Sequence, residues 1–146
     1  MLRKILVAYD GSEPSLHAFS YALELVKHCS PCAPEIIVVA VVQLPEPADI
    51  VELDAMIDSA TEHYQALFKE LEDKAKALHV EIKTEVVVGH PADQVIRYAK
   101  EHDIDMIFAG QTGKSKIETW LMGSVSRRIV TYAHCPVTIV KQRKAC

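Results

Sequence analysis

The chain has 146 residues, 49% of them apolar and 25% charged, with a formal net charge of −4. That length suits one domain around a single hydrophobic core, and the composition excludes a disordered or fibrous protein. The negative balance gives no general attraction to nucleic acid or to an anionic membrane, and Arg127, Arg128, Lys141, Arg143 and Lys144 are a local basic cluster only.

The opening MLRKILVAYDGS has an apolar stretch cut at Asp10. It is too short for a signal-peptide core or a membrane span, so a cytoplasmic protein is expected. KILVAYD, residues 4–10, predicts the first strand. Ser12 is placed to cap a helix and Pro14 to sit early in it, with Leu16, Phe19, Leu23 and Val26 at helical spacing. This helix should end between His28 and Pro34.

IIVVAVV, residues 36–42, is apolar on both alternating faces, as a central strand covered on both sides must be. After QLPEPAD, the residues Leu53, Ile57, Ala60, Tyr64, Leu67, Leu71 and Leu78 recur on three- and four-residue steps, predicting one crossover helix over about residues 50–78. A coiled-coil seam has the same spacing, but a lone stretch between strands favours a helix laid on a sheet.

EIKTEVVVG, residues 81–89, predicts the third strand, and Pro91 starts a short helix with Val95, Ile96 and Ala99. DMIFAG, residues 105–110, predicts the fourth strand, residues 124–133 a helix, and PVTIV, residues 136–140, a fifth strand. Strands alternating with helices predict a single α/β domain over residues 1–146, an open parallel five-stranded sheet with helices on both faces.

The chain has five glycines. Gly11, Gly89, Gly110 and Gly113 fall at or just beyond the carboxyl ends of the first, third and fourth strands, and Gly123 precedes a helix. That edge of an open parallel sheet is where ligands bind. Glycine lets a backbone approach a ligand closely, and a helix start presents unpaired N–H groups, so the stretch reads as an anion cradle. GQTGKS is not a P-loop, which needs four residues between its first glycine and Gly-Lys-Ser where this chain has two. No G-x-G-x-x-G is present either.

The spacing from Gly110 over two residues to Gly113, and over nine to Gly123-Ser124, fits G-x-x-G-x(9)-G-[ST]. In this the chain resembles the nucleotide-binding branch of the universal stress protein family. KILVAYDGSEPS, VVVGHPADQVI and AHCPVTIV are similar to that family's opening strand, third strand with its turn, and closing segment. The resemblance implies a Rossmann-like sheet of order 3-2-1-4-5. It also implies a site for ATP or another adenine nucleotide, with Mg2+ arriving on ATP, and a homodimer through antiparallel last strands. By the same resemblance, the backbone of Gly110, Gly113 and Gly123 and the hydroxyl of Ser124 hold phosphates and ribose. Val125 closes the helix start, Ala8 and Asp10 stand at the end of the first strand, and Val41 and Val42 face adenine. A carboxylate beside a triphosphate is repelled unless a cation intervenes, so Asp10 is expected at the base or ribose end, or capping the Ser12 turn.

HCSPC, residues 28–32, offers a competing chemistry, because Cys29 and Cys32 have the spacing of a redox pair or half a zinc site. A second ligand pair is missing, and with four cysteines in all the thiols are expected to stay reduced. Lys114 and Ser115 suggest phosphoryl transfer, yet no residue stands out as a base for water, so any hydrolysis should be slow. His90 reads as an exposed turn residue ahead of Pro91. The expected function is that of an adenine-nucleotide-binding stress-response or regulatory protein; the alternative is a thiol-redox or metal-binding protein using Cys29 and Cys32.

Overall fold

A computed structural model describes residues 1–29, 31–45, 49–111 and 122–141. Strands and helices alternate through it as β1 (Lys4–Ala8), α1 (Glu13–Lys27), β2 (Glu35–Val42), α2 (Ile50–Ala77), β3 (Ile82–Val88), α3 (Pro91–Glu101), β4 (Met106–Gly110), α4 (Ser124–Tyr132) and β5 (Val137–Val140). The strands form one parallel sheet of order β3-β2-β1-β4-β5, as the resemblance implied. Ile5 of β1 lies between Ile36 of β2 and Met106 of β4, which fixes the register at the centre.

Two apolar layers hold the sheet between helices. On one face Ile5, Val7 and Val38 meet Phe19 of α1 and Phe68 and Leu71 of α2; on the other Leu6, Ile37, Val39 and Ile107 meet Val95 of α3 and Ile129 of α4. Consecutive residues of β1 and β2 therefore bury on opposite sides, which is why both strands read as unbroken apolar runs. The edge strands alternate or stay half-buried, with Lys83 and Glu85 of β3 exposed. Charged side chains on an edge discourage pairing with a foreign strand.

Several strands are one or two residues shorter than their sequence patterns. β1 ends at Ala8 because, although the Tyr9 N–H still donates to Val39 O at 2.9 Å, the Asp10 N–H turns to the Ser15 hydroxyl at 3.3 Å. β5 starts after Pro136, which has no N–H to give the ladder, while its carbonyl accepts from the Ile107 N–H. β4 starts after Asp105, whose carboxylate accepts from the N–H groups of Arg3 and Lys4 at 2.8 and 2.9 Å and so pins the starts of β1 and β4 together. These bonds hold the Asp105 carboxyl below the usual carboxylate range.

Helix α2 has 28 residues and is about 42 Å long at 1.5 Å per residue, against about 26 Å for the eight residues of β2. Its buried side chains are Tyr64, Phe68, Leu71 and Ala75, all in the second half. The first half runs on past the carboxyl edge of the sheet.

Candidate functional site

β1 leads leftward to β2 and β3, and the chain then crosses to β4 on the other side of β1, so the topology reverses between β1 and β4. A crevice of about 600 Å3 opens at their carboxyl ends. Its floor is apolar, made by Ala8, Val39, Val41 and Ala109. Tyr9, Asp10 and Ser12 form one rim, Gly123 to Ser126 another, and Ala60, His63 and Tyr64 of α2 a third.

The β1–α1 turn is built by short polar side chains. Gly11 has φ of +81°, a left-handed conformation that favours glycine. The Asp10 carboxylate accepts from the Ser12 N–H at 2.9 Å, and the Ser12 hydroxyl accepts from the Ser15 N–H at 3.3 Å, capping α1. One carboxylate oxygen of Asp10 is thus committed to the turn, the capping role weighed for it from the sequence. Asp10 is the one carboxylate among the described residues lining the crevice.

Across the crevice, α4 begins at Gly123 with no side-chain cap. The Gly123 carbonyl accepts from the Arg127 N–H at 3.0 Å, closing the first turn. The N–H groups of Ser124, Val125 and Ser126 precede that bond and have no intrahelical acceptor. They give this wall partial positive charge. Ser126, which is buried, donates its hydroxyl to the Gly110 carbonyl at 2.7 Å, and the Gly123 N–H donates to the Gln111 carbonyl at 2.9 Å. These two bonds set the helix start against the end of β4.

Gly110 also has a packing reason. A Cβ there would lie 2.7 Å from the backbone of Pro14 in the first turn of α1, too close for any side chain. Its carbonyl is taken by Ser126, so the glycine joins α1, β4 and α4 as well as bordering the crevice.

The α2 wall is aromatic. The Tyr64 ring lies 5.5 Å from that of His63 and 6.4 Å from that of Phe68, which in turn is 6.3 Å from Tyr9. Burial, then the neighbouring charges of Glu70 and Asp10, raises the Tyr9 phenol above its ordinary value, so it is neutral at physiological pH.

Eight of the nine residues that the resemblance implied, Ala8, Asp10, Val41, Val42, Gly110, Gly123, Ser124 and Val125, border this one crevice; Gly113 lies outside the described residues, as do Lys114 and Ser115. Ser15, Ser126, His63 and Tyr64 also line it and were not singled out from the sequence. The Gly-Ser pair could have pointed to Ser126 as a first-turn hydroxyl, but no local signal shows that α2 overshoots the sheet. His90 is exposed, 3.8 Å from Asp93, and is not part of the lining. Cys29 and Cys32 follow α1 at the opposite, amino edge, both as free thiols, with Cys29 Sγ donating to the Leu25 carbonyl at 3.3 Å. Among the described residues no three His, Cys, Asp or Glu side chains converge as a metal ion would require. Among the described residues nothing supports the redox or metal reading.

The sequence model of the universal stress protein family matches residues 1–141. The chain belongs to that family. A universal stress protein of Methanocaldococcus jannaschii is 33% identical over 147 aligned residues, covering 99% of this chain and 85% of that protein. The fold matches that of universal stress protein UspA from Lactobacillus plantarum with a TM-score of 0.85, at 25% identity over 95% of this chain and 97% of that one. A further universal stress protein, crystallised in complex with cAMP, matches with a TM-score of 0.71 at 25% identity, over 96% of this chain and 97% of that one.

Proposed function

We propose that this chain is a cytoplasmic adenine-nucleotide-binding protein of stress response or regulation, with the nucleotide in the crevice between β1, β2, β4 and the start of α4. The observation that carries this is the pairing, at a topological switch point, of an apolar floor with a helix start whose N–H groups face the opening. The first suits a purine and the second a phosphate. The universal stress protein crystallised with cAMP adds support from within the family.

In this reading Val41 and Ala8 lie against the base, and Gly123, Ser124, Val125 and the Gly110 and Gly113 backbones serve ribose and phosphates. With ATP, Mg2+ offsets the repulsion between the phosphates and Asp10. Calorimetric titration with AMP, cAMP and ATP, each with and without Mg2+, tests the proposal. Saturable binding of at least one is expected, and heats of dilution for all three would refute it.

We further infer a homodimer through β5. Its four residues are half-buried on an open edge, and Val130 and Tyr132 of the adjoining α4 are 44% and 63% exposed. Pairing that edge with its twin satisfies backbone groups and covers the apolar side chains, and two-fold pairing is the commonest closed symmetry. A concentration-independent monomer in sedimentation would overturn this.

A further inference from the structure

The stripe that seats α2 on the sheet does not stop where the sheet does. Ile50, Leu53, Ile57 and Ala60 lead into Tyr64, Leu67 and Leu71 on alternating steps of three and four, the spacing of a helix–helix seam. The second half of the stripe is buried, beginning at Tyr64. In the first half Ile50 and Val51 are 75% exposed and Met56 is 42% exposed, while Leu53 and Ile57 are only half-buried. A shallow hollow framed by Ala55, Met56, Ser59, Ala60 and His63 lies on the same stretch. Ile50, Met56 and the exposed parts of Leu53 and Ile57 leave apolar surface along this half of the helix, and apolar surface gathered on one helix face marks a surface that is covered in use.

Charge says by what. Asp49 and Asp54 flank the strip, Glu52, Asp58 and Glu62 are exposed further round the same half of the helix, and the chain has no Lys or Arg between Lys27 and Lys69. Two copies laid together here would set carboxylates against carboxylates, which is destabilising. A helix with Lys or Arg beside its own apolar stripe would instead neutralise them and present anchors to Ile50, Leu53 and Ile57 at the i, i+3, i+7 spacing of helix recognition. We propose that residues 50–63 of α2 are a docking surface for a cationic amphipathic helix of a partner protein.

Titration of the labelled full chain, followed by amide NMR, provides the test. The probe is a synthetic amphipathic helix of Leu and Lys about eighteen residues long, the length at which helices begin to hold in isolation. Its counterpart carries Glu in place of Lys. The Lys helix should shift amides of residues 50–63 first. Affinity should fall about tenfold or more, at least 1.4 kcal/mol, both for Leu53→Ser with Ile57→Ser and for Asp54→Lys with Asp58→Lys. Glu72→Lys with Asp73→Lys, on the exposed face of the second half, should leave it unchanged. None of these side chains is buried, and circular dichroism will show that each variant folds. The proposal falls if the 50–63 amides do not respond, if the control pair weakens binding as much, or if the Glu helix binds as well. It also falls if Leu53→Ser with Ile57→Ser turns a dimer into a monomer, since a second copy would then be the occupant.

Discussion

The hydroxyl of Ser126 donates to the carbonyl of Gly110 at 2.7 Å, joining the first turn of α4 to the last residue of β4 across sixteen positions of sequence. Removing it leaves a part-buried carbonyl without that donor, at a cost of about 1 to 3 kcal/mol. Ser126→Ala should therefore lower the urea midpoint, and because α4 loses its fixed position at the crevice, nucleotide affinity should fall with it. An unchanged midpoint would mean that water or another group takes over the contact.

Gly110 and Gly113 should separate under substitution. Gly110→Ala forces a methyl against the Pro14 backbone, where a Cβ would meet carbon and oxygen at 2.7 Å. Such overpacking costs about 1 to 3 kcal/mol, and a thermal melt will show it. Gly113→Val is expected to weaken ATP binding about tenfold or more while cooperative unfolding persists. Equal affinity in the second variant would remove Gly113 from the proposed cradle.

Asp10 can be tested for its two roles at once. Asn can still accept from the Ser12 N–H, so Asp10→Asn should keep the turn while deleting the charge. Without Mg2+, ATP should then bind about two- to tenfold more tightly, since a charge pair of this kind is worth about 0.5 to 1.4 kcal/mol. Adding Mg2+ should shrink the gain. Weaker binding in both conditions would instead make the Asp10 carboxylate a direct contact of the nucleotide.

Alkaline pH offers a further handle. Tyr9 and Tyr98 are both raised above the ordinary value of 10.0, Tyr9 chiefly by burial and Tyr98 by burial together with a hydrogen bond to Glu85. A raised folded value for a phenol means that its stabilising contribution is whole below pH 10 and is lost as pH climbs through the folded value. Above pH 10 the unfolded chain releases these protons first, so stability should fall by about 1.4 kcal/mol per pH unit for each group. Tyr9 and Tyr98 should resist ionisation in an ultraviolet titration until the fold gives way. Complete ionisation in the folded state near pH 10 would contradict the burial argument.

The fold was legible because its signals are local and redundant. β1 and β2 are unbroken apolar runs, Ser12 and Pro14 mark the start of α1, and the ends of the strands fell within one or two residues of the pattern. The strand order was not in the periodicity and came from the glycine spacing through the family resemblance. Within the site, the glycines and strand ends could be read, but His63 and Tyr64 could not. Their part depends on where one helix lands against another element, which spacing along a single chain does not carry. Gly110 was read only as a ligand contact because a missing side chain does not announce what it would strike.

The second half of α2 buries side chains in the core and the first half does not, and that is expected to give one helix two lifetimes. From Tyr64 onward the backbone can open only when the buried contacts of Phe68, Leu71 and Ala75 come apart, so its amides should exchange with solvent through events close to global unfolding. Residues 50–63 have no buried side chain, so this half should unwind from the start of the helix while the domain stays folded. Hydrogen exchange along α2 should show a step in protection at Tyr64, and because Ala60, His63 and Tyr64 border the crevice, the step coincides with one wall of the site. A ligand in the crevice would touch α2 at the boundary between its two halves, so the exchange rates of residues 50–63 should report on its occupancy.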